Sequence, residues 1–96
     1  MSESADVQIV DSPSESRYEI SVDGALAGYL TYERQGATTV LEHTKVFSEY
    51  GGRGLAGRLV SYALDDIRAS GASVDPQCEY VDAYINKNPE YADLRI

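Results

Sequence analysis

Apolar positions along this chain follow two rhythms. Up to about residue 47 they alternate with polar ones, and from about residue 54 they recur every three to four residues. Val7, Ile9 and Val10 form a short apolar segment that reads as an edge strand. Asp11 to Ser16, with Pro13 and three serines, reads as a loop. From Arg17, Tyr18, Ile20 and Val22 face one way and Arg17, Glu19 and Ser21 the other, the pattern of a half-buried strand. Asp23-Gly24 is a two-residue hairpin signal, because a type I′ turn needs positive φ at both positions. The return strand is expected over Ala25 to Glu33, with Leu26, Gly28, Leu30 and Tyr32 on one face. After Arg34-Gln35-Gly36, the β-branched run from Thr38 to Phe47 predicts a further strand, on which alternation puts Glu42 and His43 on opposite faces. Leu55, Leu59, Ala63 and Ile67, with Val60 and Leu64 beside them, predict an amphipathic helix over Gly54 to Ser70, stopped by Gly71. Ala72 to Asp75 reads as a short strand ended by Pro76. A last helix from Cys78 to Lys87 is expected to bury Val81, Tyr84 and Ile85, with Pro89 beyond its end. The order β-β-β-β-α-β-α is an α+β fold, and the helical crossover makes the fourth and fifth strands parallel. Met1 to Ala5 are expected to fray.

Composition narrows the field. Ninety-six residues suit one domain over 1–96 and are too few for a (β/α)8 barrel or a doubly wound dinucleotide fold. Sixteen acidic against eight basic residues leave a net charge of −8, which disfavours nucleic acid and an anionic membrane surface as partners. A single cysteine excludes an internal disulfide, and one histidine with one cysteine cannot make an ordinary structural zinc site, so no metal is expected. No apolar run approaches the length of a membrane span and the acidic N-terminus does not read as a signal peptide, so the expectation is a cytoplasmic protein.

The chemistry is expected where the texture changes. Gly52-Arg53-Gly54-Leu55-Ala56-Gly57 follows a strand and opens a helix. Free amides at a helix N-terminus, beside Arg53 and Arg58, point to an anion site in which glycines let a phosphate approach the backbone; the alternative is that these glycines only make a tight strand-to-helix turn. The match to G-x-G-x-x-G is literal, but only 39 residues follow Gly57, too few for the remaining units of a dinucleotide-binding half. A P-loop is disfavoured, because Arg58 and Leu59 stand where Lys and Ser/Thr are needed.

The succession of strand, Gly-Arg-Gly-Leu-Ala, amphipathic helix, short strand and last helix resembles the GNAT superfamily of acyl-CoA-dependent N-acetyltransferases. The family turn reads Arg/Gln-x-x-Gly-x-Gly/Ala; Gly54 and Ala56 fill its last positions, while Gly51 stands where the Arg/Gln belongs. His43-Thr44-x-Val46, Pro76-x-Cys78 and Tyr84-Ile85 followed by Asn88-Pro89-Glu90-Tyr91 extend the resemblance to small stand-alone members, over roughly residues 17 to 94. The resemblance implies a minimal GNAT-like mixed sheet that lacks the helices between strands 1 and 2, since only about six residues separate them. It implies acetyl-CoA as co-substrate, its phosphates on the Gly51, Gly52, Arg53, Gly54, Leu55, Ala56, Gly57 and Arg58 turn. It implies a pantetheine arm along Thr44 and Val46, and an acetyl group near His43, Cys78 and the last helix.

Acetyl transfer to an amine needs a neutral amine, a polarised carbonyl and a stabilised leaving thiolate. Cys78 is a candidate nucleophile or a pocket-lining residue. His43, the only histidine, is a candidate general base or a structural residue. The resemblance implies a last-helix tyrosine as acid toward the thiolate; Ile85 stands at the common position of that tyrosine and Tyr84 one residue away, so Tyr84 is a candidate for the role or a packing residue, and it shares a helical face with Tyr80. The missing helices leave the acceptor side open or completed by a second subunit, which favours an extended acceptor such as a protein amine. The expected oligomeric state is a monomer or weak homodimer. The rival reading is a module that binds acyl-CoA without turnover.

Overall fold

The computed structural model describes residues 6–96, so the fraying expected of Met1 to Ala5 lies outside the described residues. Strands β1 (Val7–Ser12), β2 (Arg17–Val22), β3 (Ala25–Gln35) and β4 (Thr38–Val46) form an antiparallel meander. Helix α1 (Leu55–Ser70) crosses over to β5 (Ser73–Pro76), which pairs parallel with β4, and α2 (Glu79–Lys87) follows. The sheet order is β1-β2-β3-β4-β5. Asp23 and Gly24 both take positive φ, 51° and 85°, as the hairpin requires.

One face of the sheet carries Tyr18, Ile20, Leu30 and Leu41, all fully buried. They pack against Leu59, Val60, Ala63 and Leu64 of α1 and Val81 and Ile85 of α2. The two helices lie side by side there: a Cβ on Gly57 of α1 would touch Tyr80 and Tyr84 of α2. No helix among the described residues covers the other face, which holds Arg17, Glu19, Tyr29 and Thr31. β1 and β2 are joined only by a short 3-10 turn, Pro13–Glu15. The same number of elements in the same order was expected, with shifted ends. β1 runs on to Ser12 inside the expected loop. β3 reaches Gln35, β4 stops before Phe47, and Pro76 closes β5.

Two β-bulges break the alternation assumed from the sequence. Ile20 pairs with Gly28 but Ser21 with Leu26, so Ala27 is the extra residue. Ala27 is fully buried in consequence, and Leu26 is turned to the uncovered face beside Ser21. Tyr32 pairs with Leu41 but Thr31 with His43, so Glu42 is the second extra residue. Glu42 and His43 therefore both oppose Thr31, and both are exposed. The expectation that these two side chains face opposite ways is corrected by this bulge.

Tyr84, expected in the core of α2, is only partly buried; it packs on the core's margin against Tyr91. Beyond α2, a 3-10 segment (Pro89–Leu94) carries the chain back so that Arg95 bridges Val74 in parallel and Ile96 donates to its carbonyl at 3.0 Å.

Candidate functional site

Three local features meet at one end of the sheet. The first is the departure of β5 from β4. Their pairing ends at Leu41 opposite Pro76, and the Cys78 amide then donates to the Leu41 carbonyl at 2.9 Å. β4 continues to Val46 without a strand on that side. The Phe47 amide donates to Ala27, and the Lys45 carbonyl lies against Gly28, so both turn toward β3. Backbone groups alternate along a strand, so those of Thr44 and Val46 turn the other way, into the gap. Gly28 makes this possible: any Cβ there would collide with the Lys45 carbonyl and crowd Val46 at 3.1 Å.

The second feature is the turn before α1. A 3-10 turn (Ser48–Tyr50) leads to Gly51, whose φ of −64° is ordinary and whose amide donates to Ser48. Gly52 and Gly54 do need glycine, with φ of 78° and 73°. Gly54 is the N-cap, so the expected start of the helix moves to Leu55. Having no side chain, Gly54 offers no cap, and the first helical bond is Arg58 N–H to Gly54 O at 3.3 Å. The amides of Leu55, Ala56 and Gly57 are thus left without an intrahelical acceptor. The space before the turn is open, since a Cβ on Gly52 or Gly54 would meet nothing within 4 Å. Arg53 lies over the Tyr50 ring at 5.4 Å, and Arg58 is exposed on the first turn. Bare amides, the positive end of the helix dipole and two guanidinium groups suit a phosphate-bearing ligand.

The third feature is the pairing of Thr44 with Cys78. Thr44 Oγ1 and Cys78 Sγ lie 3.2 Å apart, joining β4 to the N-cap of α2 across the gap. Cys78, expected as the first residue of the last helix, is instead the N-cap before it, and is buried. Tyr84 lies on the α1 side of α2. Its Cε2 is 3.8 Å from where a Cβ on Gly57 would sit, and the Tyr80 hydroxyl is 3.6 Å from the same point.

Of the residues singled out in the sequence, the structure brings Thr44, Val46 and Cys78 to the gap, and Tyr84 to the turn at Gly57. It sets His43 on the uncovered face, paired with Thr31, away from the Cys78 sulfur. Glu42, placed beside His43 by the bulge, was missed; nothing in the local sequence announces a bulge there. Tyr80 was noted only as a neighbour of Tyr84, and its hydroxyl approaches the first turn of α1. Among the described residues no group of three or more His, Cys, Asp or Glu is placed to hold a metal, and no helix is long and apolar enough to cross a membrane.

Comparison with known proteins bears on this geometry. Residues 17–94 match a family model described as GCN5-related N-acetyl-transferase. The chain is similar to Protein NATD1 of Xenopus tropicalis, 28% identical over 91 residues that span 93% of this chain and 84% of that protein. It is also similar to Protein NATD1 of Gallus gallus, 38% identical over 61 residues, which make up 62% of this chain and 56% of the chicken protein. The NMR solution structure of a GCN5-like protein from Staphylococcus aureus shares the fold, with a TM-score of 0.72 at 21% identity over 93% of this chain and 87% of that one.

Proposed function

Because the chain belongs to the GCN5-related N-acetyltransferase family, we propose that it is a working member. In this reading it moves the acetyl group of acetyl-CoA to an amine, with an extended acceptor such as a protein amine in place of a small enclosed metabolite. One observation carries the reading: three uncapped helix amides and two arginines stand at one end of the gap that Thr44 and Cys78 border. The residues fit the cofactor. Gly52 and Gly54 leave open space before the amides of Leu55, Ala56 and Gly57, where the diphosphate would be held with Arg53 and Arg58. The edge of β4 at Thr44 and Val46 offers backbone donors and acceptors to an extended amide chain. Acetyl-CoA supplies an activated thioester.

The chain's own groups divide the remaining work. Cys78 and Thr44 line the inner end of the gap, on the helix side. His43, with Glu42 beside it, stands on the uncovered side, from which an amine can approach through the same gap. There the imidazole takes a proton from the attacking amine. Tyr84 lies on the helix side and donates a proton toward the departing thiolate. The amine nitrogen forms the new C–N bond as the C–S bond breaks, and the proton it gives up balances the one the thiolate gains.

One observation favours the rival reading, a binding module without turnover: the polar partner of the Cys78 sulfur is a hydroxyl, not a base. The test is calorimetry of coenzyme A binding together with thiol release from acetyl-CoA over a panel of amines. Gly54→Glu, which sets a carboxylate at the anion site, is expected to abolish binding; unchanged affinity removes the assignment. His43→Ala is expected to lower kcat by about a hundredfold while affinity for coenzyme A holds. Cys78→Ala separates routes: an acetyl group found on the wild-type protein by mass spectrometry and lost in this variant reports covalent transfer. Tight binding without thiol release for every amine supports the module.

A further inference from the structure

The bare amides stand at the N-terminal end of α1. At the other end of that helix is a second cavity, of about 370 Å³, bordered by Asp11, Arg34, Thr39, Asp66 and Ser70. Sixteen residues of helix put about 24 Å between the two. Gly36 and Gly71 complete the wall, and a Cβ on either would meet nothing within 4 Å, so the space before them is open. Charge in this cavity is not balanced. Asp11 accepts from the Tyr32 hydroxyl and from Arg34 at 3.1 Å, and Arg34 is stacked on the Tyr32 ring. Arg34 and Asp11 therefore cancel each other. Asp66 accepts the hydroxyl of the fully buried Tyr18 on Oδ2 at 2.8 Å, but among the described residues it is in no ion pair and its Oδ1 has no partner. One carboxylate charge is left over.

Thr39 is the independent sign of a ligand. It is 3% exposed. It lies on the helix-facing side of β4 with Leu41, two residues on, and pairs with Arg34 as Leu41 pairs with Tyr32. That side turns its hydroxyl to the cavity it borders. Buried hydroxyls are normally paired, yet this one has no hydrogen-bond partner among the described residues. A hydroxyl at such a place costs desolvation unless something from outside completes it. Ser70, four residues after Asp66 on α1, spends its proton on the Ile67 carbonyl at 2.7 Å and is left with lone pairs only. The C-terminal end of α1 adds the negative pole of the helix dipole to the same wall. Lone-pair oxygens around one unbalanced carboxylate complement a compact cation that donates hydrogen bonds. An alkylammonium carries one charge and three N–H donors.

We propose that the cavity at the C-terminal end of α1 binds a primary alkylammonium, which donates to Asp66, Thr39 and Ser70. This site stands independently of the acetyl-transfer reading and shares no residue with the gap between β4 and α2. Asp66 supplies the charge and Thr39 gains the partner it lacks. The small residues at the mouth leave room for the alkyl part.

The test is NMR of the full chain, labelled with nitrogen-15 and titrated with butylammonium chloride to about 50 mM at constant ionic strength, where a Kd of about 1–10 mM is read directly. Saturable shifts are expected at the amides of Thr39, Ser70 and Gly71. Shifts confined to His43, Thr44 and Val46 report an amine in the gap instead and overturn this site, as does no saturable shift at all. Tetramethylammonium has the charge without the donors, and sodium phosphate the opposite charge; equal binding of either overturns the ammonium assignment. Asp66→Asn keeps an acceptor for the Tyr18 hydroxyl and is expected to weaken butylammonium about tenfold. Thr39→Val is expected to weaken it about threefold and to leave the denaturant midpoint unchanged or higher, because no internal hydrogen bond is lost. A lower midpoint, or unaltered affinity in both variants, overturns the proposal. A short peptide with one lysine, titrated alongside, separates the two sources of this chemistry: tighter binding of the peptide assigns a protein side chain, and tighter binding of butylammonium a free amine.

Discussion

At the scale of single residues, two tyrosines show how burial and a neighbouring carboxylate act together. Tyr32 is pushed up to about 12, first by burial and then by the hydrogen bond its hydroxyl gives to Asp11. Tyr18 is raised as well, again first by burial and then by Asp66, whose carboxylate accepts its hydroxyl at 2.8 Å. Arg34 joins the two, stacking 4.4 Å above the Tyr32 ring and reaching Asp11. Each folded-state value lies above the ordinary 10.0, so the unfolded chain releases these protons first. The stability they confer is present below pH 10.0 and is lost as pH rises toward about 12. Urea unfolding should therefore show a midpoint that falls steeply across that window. Tyr32→Phe should start about 1 kcal/mol lower at pH 8, for the lost hydrogen bond, and fall less above pH 10.0. Equal slopes for the two proteins would contradict the account.

At the scale of elements, the parts set by local chemistry were legible and the parts set by pairing across strands were not. The Asp23-Gly24 turn, the α1 stripe of Leu55, Leu59, Val60, Ala63, Leu64 and Ile67, and the stop at Gly71 with φ of 80° each follow from residues within a few positions of one another. The turn before α1 was legible for the same reason. The bulges at Ala27 and Glu42 were not, because an extra residue is recognised only against the partner strand. That cost the reading Leu26, and it cost the placing of Glu42 beside His43 on the uncovered face. The reach of the chain back to Val74 was missed because a two-residue bridge has no periodicity to detect. Gly28 joins both levels, since its missing Cβ admits the backbone that Thr44 and Val46 share with the gap. Gly28→Ala should cost about 1–3 kcal/mol, because the obstructing atom is a backbone carbonyl that cannot swing aside. It should also weaken coenzyme A binding by moving β4. Gly57→Ala serves as the control, where a methyl would make only ordinary contacts at 3.6 and 3.8 Å. A smaller loss for Gly28→Ala than for Gly57→Ala, read from denaturant midpoints, would remove the argument.

At the scale of the whole molecule, the eight cationic side chains fall into two groups. Arg17, Arg34, Arg68 and Arg95 are each held in an ion pair with a carboxylate. Of the four without one among the described residues, Arg53 and Arg58 flank the bare amides of α1, and Lys45 lies on β4 beside the gap; only Lys87 lies elsewhere. A chain of net charge −8 thus keeps most of its uncommitted positive charge where a diphosphate would sit, against an otherwise acidic field. That field would favour the approach of a cationic acceptor, an effect that salt screens over about 10 Å at 0.1 M ionic strength. Comparing two acceptors of equal length, one flanked by lysines and one by neutral residues, isolates it. For the basic peptide kcat/KM should fall about tenfold between roughly 0.02 and 0.3 M salt, and for the neutral one by less than about twofold. The loss should lie in kcat/KM and not in kcat, because steering acts before the encounter and leaves the gap between β4 and α2 unchanged. If both peptides lose rate equally, the acidic surface has no part in choosing the acceptor.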